Sequence, residues 1–230
     1  MIYVSHDTLN ILYFVTIILF FTSLLVQALL QSKMNKYAET HLKSGKSGAE
    51  VAAEMLKDNN IYDVEILEVD GILSDHYNPI NKTLNLSSAV YNGVNIGAAA
   101  VAAHECGHAL QYKDGYGPIK LRNGIAKVAS IGNTIGYIAL AIGFLASITG
   151  LVYVGVALMF FAIIFQLITL PVEFNASKRA RKELLRLGLI SESEAGGVRK
   201  MLNAAGFTYI AGLLSSLLEI VRLLSYVRKK

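Results

Sequence analysis

The sequence has no tryptophan, one cysteine and few charged residues, and each of these features argues against a structural element or a class of protein. The one cysteine, Cys106, excludes an intrachain disulfide, which fits a reducing compartment. The absence of tryptophan excludes a tryptophan belt at membrane interfaces. Charged residues make up 17% of the 230 residues, whereas a soluble domain has about 25%. We therefore expect a membrane protein. The net charge of +4 is small and does not suggest nucleic acid as a partner.

Long uncharged runs predict membrane-spanning helices. Residues 9–30 carry no charge and are long enough to cross a hydrocarbon core of about 30 Å. A signal peptide is the alternative, but no Lys or Arg precedes this run, which favours an uncleaved anchor. Residues 128–148 and 151–170 predict a transmembrane hairpin with a tight turn at 147–150.

The last apolar stretch, residues 204–226, is ambiguous because it contains Glu219 and Arg222. Their spacing lets them pair on one helix face, but a charge near the middle of a bilayer is costly. A packed or interfacial helix is therefore favoured over a fourth span. The basic terminus at 227–230 also argues against a span that would carry it outside.

The basic residues are confined to two segments of the chain. Lys and Arg number zero in 1–32, ten in 33–127, zero in 128–177 and eleven in 178–230. The positive-inside rule places both basic segments in the cytoplasm and the N-terminus outside. A reporter fused at Gly45 is therefore expected on the cytoplasmic side, and a signal from outside the cell would contradict this topology.

The polar segments combine helices with a small hairpin. Hydrophobic alternation predicts strands over 63–69, 71–77 and 83–87, the last two joined by a turn at 78–82. Capping and periodicity predict helices over 47–59 with Ser47 as N-cap, 95–113, 173–188 ended by Gly188, and from 191 to about Ala205. A short helical turn is expected over 88–92.

Residues 99–112, AAVAAHECGHALQY, place three ionisable side chains in an apolar helix. His104 and His108 are four residues apart, so both imidazoles lie on one face and can reach one tetrahedral zinc ion. Glu105 would lie beside that ion without ligating it, where it can act as general base. Gly107 would let another backbone approach closely. The alternative interpretation is two ordinary helix histidines.

A zinc hydrolase needs a third protein ligand, and no histidine follows His108. The candidates are His76 upstream and the downstream acids Asp114, Glu173, Glu183, Glu192, Glu194 and Glu219. Glu173 is favoured because it lies at an apolar boundary, where a lone carboxylate is costly. Its alternative role is that of an acid at a helix N-terminus after Pro171.

His76 and Cys106 are secondary candidates. As a catalytic residue, His76 could stabilise the oxyanion, and its alternative is a hairpin residue that caps or packs. Cys106 lies within the motif but is expected to face away from the metal as a small apolar helix residue. The alternative is a zinc-bound cysteine switch.

Two blocks of the sequence resemble a known family. LSDHYNPINKTLNLSSAVYNGVNIGAAAVAAHECGHALQ (73–111) and LPVEFNASKRA (170–180) are similar to the YugP-like neutral zinc metallopeptidases of bacterial membranes. This resemblance implies a membrane-bound zinc endopeptidase in which His104 and His108 are ligands and Glu105 is the general base.

The assignment of Glu173 also resembles the glutamate motif of the membrane proteases that process prenylated proteins or respond to heat shock. In that wider group an aspartate four residues after the glutamate supports a histidine ligand. The corresponding residue here is Ser177, which leaves Asn175 or Asp75 to supply that support.

These observations predict a mainly α-helical integral membrane protein with a gluzincin-like zinc protease core. We expect the HExxH helix, a small antiparallel β-hairpin or sheet, and about three transmembrane helices, with a fourth left open. The predicted segments are an anchor (1–30), a cytoplasmic protease segment (31–127), a transmembrane hairpin (128–170), cytoplasmic helices with the third ligand (171–203), and a C-terminal apolar helix and tail (204–230).

The predicted function is a zinc endopeptidase of the cell membrane that cleaves polypeptides through a zinc-activated water, with Glu105 as base. The substrate would lie as an extended strand along the hairpin at 72–87, and the lipid bilayer is the other partner. The alternative is a non-catalytic membrane scaffold or adaptor with a structural or degenerate metal site. Glu105 argues against it, since a structural site has no use for a base.

Overall fold

The computed structural model describes residues 6–227 and is mainly helical. Its elements are α1 (His6–Ala38), α2 (Gly48–Asp58), β1 (Glu65–Val69), β2 (His76–Asn78), β3 (Thr83–Ser87), α3 (Ser88–Tyr91), α4 (Ile96–Lys113), α5 (Gly117–Leu145), α6 (Thr149–Arg186) and α7 (Glu192–Val227). The first five residues of the predicted anchor and the last three of the basic tail lie outside the described residues.

The chain forms two compact units. The helical unit comprises the described residues up to Gln27, Leu121–Leu170, and the described residues from Thr208 onward. The sheet-containing unit comprises Ala28–Lys120 and Pro171–Phe207.

The helical unit has an apolar core. The buried side chains of this core are Leu140, Val152, Val156, Met159, Ile163, Leu213, Ile220 and Leu223. A Cβ built on Gly136 of α5 would lie 3.0 Å from the carbonyl oxygen of Gly155 in α6. Small residues at such a crossing permit the close backbone contact that packs helices in membranes.

Within the described residues, four helices are long and apolar enough to cross a membrane, judged by length and composition. They are Tyr13–Ala38, Gly117–Leu145, Thr149–Arg186 and Glu192–Ser225. The fourth contains the stretch that was expected to be a packed or interfacial helix, and its length makes it a candidate span. Glu219 and Arg222 pair within it, as their spacing predicted, with Oε1 2.7 Å from Nη2.

The long helices extend further than the sequence patterns indicated. α5 begins at Gly117, well before the predicted span, because Pro118 lies in its first turn, where a missing N–H costs nothing. α6 continues through Pro171, which joins the predicted span and the predicted helix after it. A proline removes one backbone hydrogen-bond donor, but its φ angle is compatible with a helix. The packing of the residues on both sides of Pro171 therefore maintains α6.

The sheet is mixed and not antiparallel as predicted. Its strand order is β1-β3-β2; β2 runs antiparallel to β3, which confirms the hairpin, and β1 pairs parallel to β3. β2 has three residues instead of the predicted seven, because Gly71 and Leu73 have positive φ angles that a strand does not accept. In the strand order β1-β3-β2, β1 and β2 are both edge strands.

Two side chains cap the N-termini of α2 and α4 in the sheet-containing unit. Ser47 caps α2 in a reciprocal capping box with Glu50, as predicted. Asn95 caps α4, its Oδ1 accepting the N–H of Ala98 at 2.8 Å. The alanines of α4 are fully buried, which lets neighbouring elements enclose this helix and the polar residues it carries.

Candidate metal centre

α4 and α6 bring three of the predicted ligands together. The Nε2 atoms of His104 and His108 lie 3.1 and 3.7 Å from Oε2 of Glu173. One ligand atom from each of the three side chains lies within 4.8 Å of the others. His108 and Glu173 are only 7% and 3% exposed, whereas the side chain of His104 is 17% exposed, so protein encloses most of the group.

The donor set and its spacing suit zinc. Zinc accepts imidazole nitrogen and carboxylate oxygen, and ligands about 2.0–2.1 Å from a tetrahedral ion lie about 3.4 Å from one another. The two observed nitrogen–oxygen distances, 3.1 and 3.7 Å, bracket that separation. These two separations are therefore close to those around a bound ion, and the two imidazole nitrogens lie within 4.8 Å of each other.

The charges around His108 favour a cation. Burial disfavours the charged imidazolium, but the hydrogen bond with Glu173 and the negative charge of Glu105 outweigh burial and raise the pKa of His108. Two carboxylates thus act on this imidazole. A divalent metal ion would satisfy the same electrostatic preference.

Glu173 lies deep inside α6, which begins at Thr149. The alternative role of an acid at a helix N-terminus is therefore wrong, because the helix dipole acts only within the first turn. The carboxylate instead points toward the two imidazoles of α4.

Gly107 allows the backbones of α4 and α6 to touch. A Cβ built on Gly107 would lie 2.5 Å from the carbonyl oxygen of Ala176. Any side chain at this position would push α6 away from α4. The close approach expected for Gly107 is confirmed, and it holds Glu173 near His104 and His108.

Gly107→Ala should therefore separate the ligands. We expect the variant to lose bound metal and to be less stable by about 1–3 kcal/mol, the usual cost of overpacking. Metal content and thermal unfolding of detergent-purified protein measure the two effects. Gly196→Ala in α7 is the matched control, because no atom lies within 4 Å of its added Cβ. The control should keep its metal, and equal behaviour of the two variants would contradict the close-contact argument.

Each histidine is supported through its second ring nitrogen. Ser177 Oγ lies 3.1 Å from Nδ1 of His104. Gln111 Oε1 lies 3.0 Å from Nδ1 of His108. Both rings therefore direct Nε2 toward Glu173, the orientation in which Nε2 can serve as the ligand atom.

The support of the histidines differs from the sequence prediction. Asp75 instead accepts hydrogen bonds from the N–H and Oγ of Ser87, at 2.8 and 3.0 Å. Asn175 contacts the amide of Gln111 instead of an imidazole. Gln111 was not among the residues predicted for the site, although a glutamine three residues after His108 in an apolar helix was a usable signal.

Glu105 lies outside the group of ligand atoms, as expected for a residue that does not bind the metal. It is 8% exposed, and its Oε2 accepts a hydrogen bond of 3.0 Å from the backbone N–H of Tyr77. Tyr77 belongs to the edge strand β2. The edge of the sheet therefore contacts the carboxylate of Glu105.

His76 is not brought to the other ligands. Its Nδ1 lies 2.7 Å from the carbonyl oxygen of Ser74, and its Nε2 lies 3.2 Å from Nδ2 of Asn85. Within the described residues it does not join the group formed by the ligand atoms on α4 and α6. The geometry thus favours Glu173 over His76 as third ligand, while the catalytic role of His76 stays a prediction.

Other downstream acids have different partners. Three of them form ion pairs with arginines: Asp114 with Arg179, Glu183 with Arg186, and Glu219 with Arg222. Glu194 accepts hydrogen bonds from Ser191 at the start of α7. Each of these four carboxylates therefore has a protein partner away from the group formed by His104, His108 and Glu173.

Cys106 packs toward α2. It is fully buried, and its Sγ donates to the carbonyl oxygen of Ala52 at 3.7 Å. Burial raises the pKa of the thiol well above its usual range, so the thiolate needed for metal binding is disfavoured. The prediction of a small packed helix residue is confirmed.

The sequence matches a described family over most of its length. The family model "Putative neutral zinc metallopeptidase" matches residues 12–228, which include α4 and Glu173. A relative named "Putative membrane protease YugP", from Bacillus subtilis (strain 168), is 41% identical over 209 residues, or 91% of this chain and 93% of the relative. No solved structure matches the chain significantly.

Proposed function

Because the chain belongs to the family described as "Putative neutral zinc metallopeptidase", we propose that it is a membrane-embedded zinc-dependent endopeptidase. The observation that carries this proposal is that His104 and His108 of α4 and Glu173 of α6 offer ligand atoms within 4.8 Å of one another. Glu105 follows His104 in the sequence. It gives the site a buried carboxylate that is not one of these three ligands.

In this proposal, three residues of the site are zinc ligands and a fourth carries protons. His104 and His108 would hold the zinc through Nε2, and Glu173 through its carboxylate. A zinc ion in such a site polarises a carbonyl and makes a bound water more acidic. Glu105 accepts the proton of the water that attacks the peptide carbonyl, and then donates it to the nitrogen of the leaving amine. The Tyr77 N–H holds the Glu105 carboxylate in place for both transfers.

The substrate is proposed to be an extended polypeptide bound along β2. This strand is an edge of the sheet, so its outer side can accept an added strand. Its contact with Glu105 would place such a peptide beside the base. His76 belongs to the same strand, and it remains the candidate for contacts with the developing oxyanion.

The helical unit is proposed to lie in the bilayer of the cell membrane. Large apolar side chains are exposed on its helices, among them Phe14 at 71%, Phe160 at 53% and Leu145 at 88%. Surfaces of this kind are costly in water and suit lipid. The positive-inside rule supports a cytoplasmic location for the catalytic segments of this multi-pass protein.

The proposal is tested by metal content and peptidase activity of detergent-purified protein. We expect about one zinc per chain, as for a three-ligand catalytic site. Hydrolysis of an unstructured polypeptide should stop on chelation and return when zinc is restored. Protein without zinc, or zinc-loaded protein without hydrolysis of any polypeptide tested, would favour the membrane scaffold or adaptor.

A further inference from the structure

Gln111 is a fully buried amide that joins α4 to α6. Its Nε2 donates to the carbonyl oxygen of Val172 at 2.8 Å and to Oδ1 of Asn175 at 3.0 Å. The same Oδ1 also accepts a hydrogen bond of 2.8 Å from Nε of Arg179. All donors and acceptors around this amide are therefore matched.

These partners decide which end of the amide faces His108. A backbone carbonyl only accepts, so the end of Gln111 that faces Val172 must be the NH₂ group. The oxygen of Gln111 then faces Nδ1 of His108 at 3.0 Å. Because that oxygen can only accept, Nδ1 must carry the hydrogen, and in the neutral, metal-binding imidazole this leaves the lone pair on Nε2.

We propose that Gln111 is a positioning residue that holds His108 in the Nδ1–H tautomer and so presents Nε2 to the zinc ion. This inference rests on the proposed function, because it assigns a role within the same metal site. Ser177 supports His104 differently, since a hydroxyl either donates or accepts and so does not select a tautomer.

A neutral amide suits this site for an electrostatic reason. Glu105 and Glu173 already place two carboxylates close to His108, and a third would add to the repulsion between buried charges. The amide orients the ring without adding charge. It also ties the ring of His108 to the turn of α6 that carries Glu173, because Val172 and Glu173 are neighbours.

The orientation of Gln111 is set in turn by charged residues at the edge of the site. Arg179 donates to Asn175 and forms an ion pair with Asp114, the residue that caps the C-terminus of α4. The polar contacts thus run from α4 to α6 and back to α4. They fix the oxygen of Asn175 toward the NH₂ group of Gln111.

The test compares Gln111→Met with Gln111→Glu. Methionine preserves the volume but accepts no useful hydrogen bond, whereas a glutamic acid keeps an oxygen that accepts from Nδ1–H. Its carboxyl group, held protonated by the neighbouring carboxylates, also keeps an O–H that donates toward the carbonyl oxygen of Val172. We expect Gln111→Met to weaken zinc binding by about 10–100-fold, the usual effect of losing such support. Gln111→Glu should bind zinc more tightly than Gln111→Met. Ser177→Ala is the control with one hydrogen bond removed, and its loss should be the smaller one.

Zinc affinity is measured by competition with a chromophoric chelator, and the thermal unfolding of the metal-free variants is followed in parallel. A purely packing role predicts that Gln111→Met, which preserves the volume, binds zinc as tightly as wild type, and that result would overturn the inference. Equal losses in both variants would overturn it as well. Wild-type protein that binds no zinc would overturn the proposed function itself, a result distinct from either of these.

Discussion

Glu105→Gln should keep its zinc and lose peptide hydrolysis, with kcat lower by about 10²–10⁴-fold, the contribution of a positioned general base. The substitution keeps the size of the side chain and an oxygen that can accept the N–H of Tyr77. An amide does not take up the proton of the attacking water. Because the ligand atoms lie on other residues, the metal site should stay intact.

The measurement pairs steady-state hydrolysis of a polypeptide with zinc analysis of the same preparations. Glu68→Gln is a suitable control, since it removes an exposed carboxylate from the edge strand β1 and should change neither quantity. Hydrolysis at the wild-type rate by zinc-loaded Glu105→Gln would contradict the role of Glu105 as base. A complete loss of zinc would instead show that Glu105 contributes to metal binding.

The local features of the site could be predicted from the sequence because they depend on helix geometry. The spacing of His104 and His108 fixes their common face, and Gly107 signals a close neighbour. Glu173 was found by its position at the end of an apolar run, and the structure places it beside both histidines. Each of these arguments needs only the sequence around one residue.

Contacts between distant segments could not be predicted in the same way. The parallel pairing of β1 with β3 depends on where the chain returns, and alternation within a strand does not report it. The bond between Ser177 and His104, and those from Gln111 to α6, join residues separated by more than sixty positions. The continuation of α6 through Pro171 likewise depends on packing, which overrides the local tendency of proline to end a helix.

Glu173→Ala should lose bound zinc almost completely. The variant retains two imidazoles, and a catalytic zinc site needs three protein ligands. His104 and His108 keep their contacts with Ser177 and Gln111, so the loss should not come from disordered histidines. Elemental analysis of detergent-purified protein measures the effect. Full zinc occupancy in this variant would return the search for a third ligand to His76 and the remaining acids.

The control for this prediction comes from the same helix. Glu183 is also a buried carboxylate of α6, but it pairs with Arg186 at 2.5 Å and accepts from Asn59 at 3.0 Å. Glu183→Ala should therefore lower the free energy of unfolding by about 1–3 kcal/mol, because hydrogen-bonding partners are left unsatisfied. Its zinc content should not change. If both variants lost zinc in proportion to their loss of stability, the effect at Glu173 would be attributed to the fold of α6. Zinc loss confined to Glu173→Ala separates binding from folding and supports the carboxylate as a ligand.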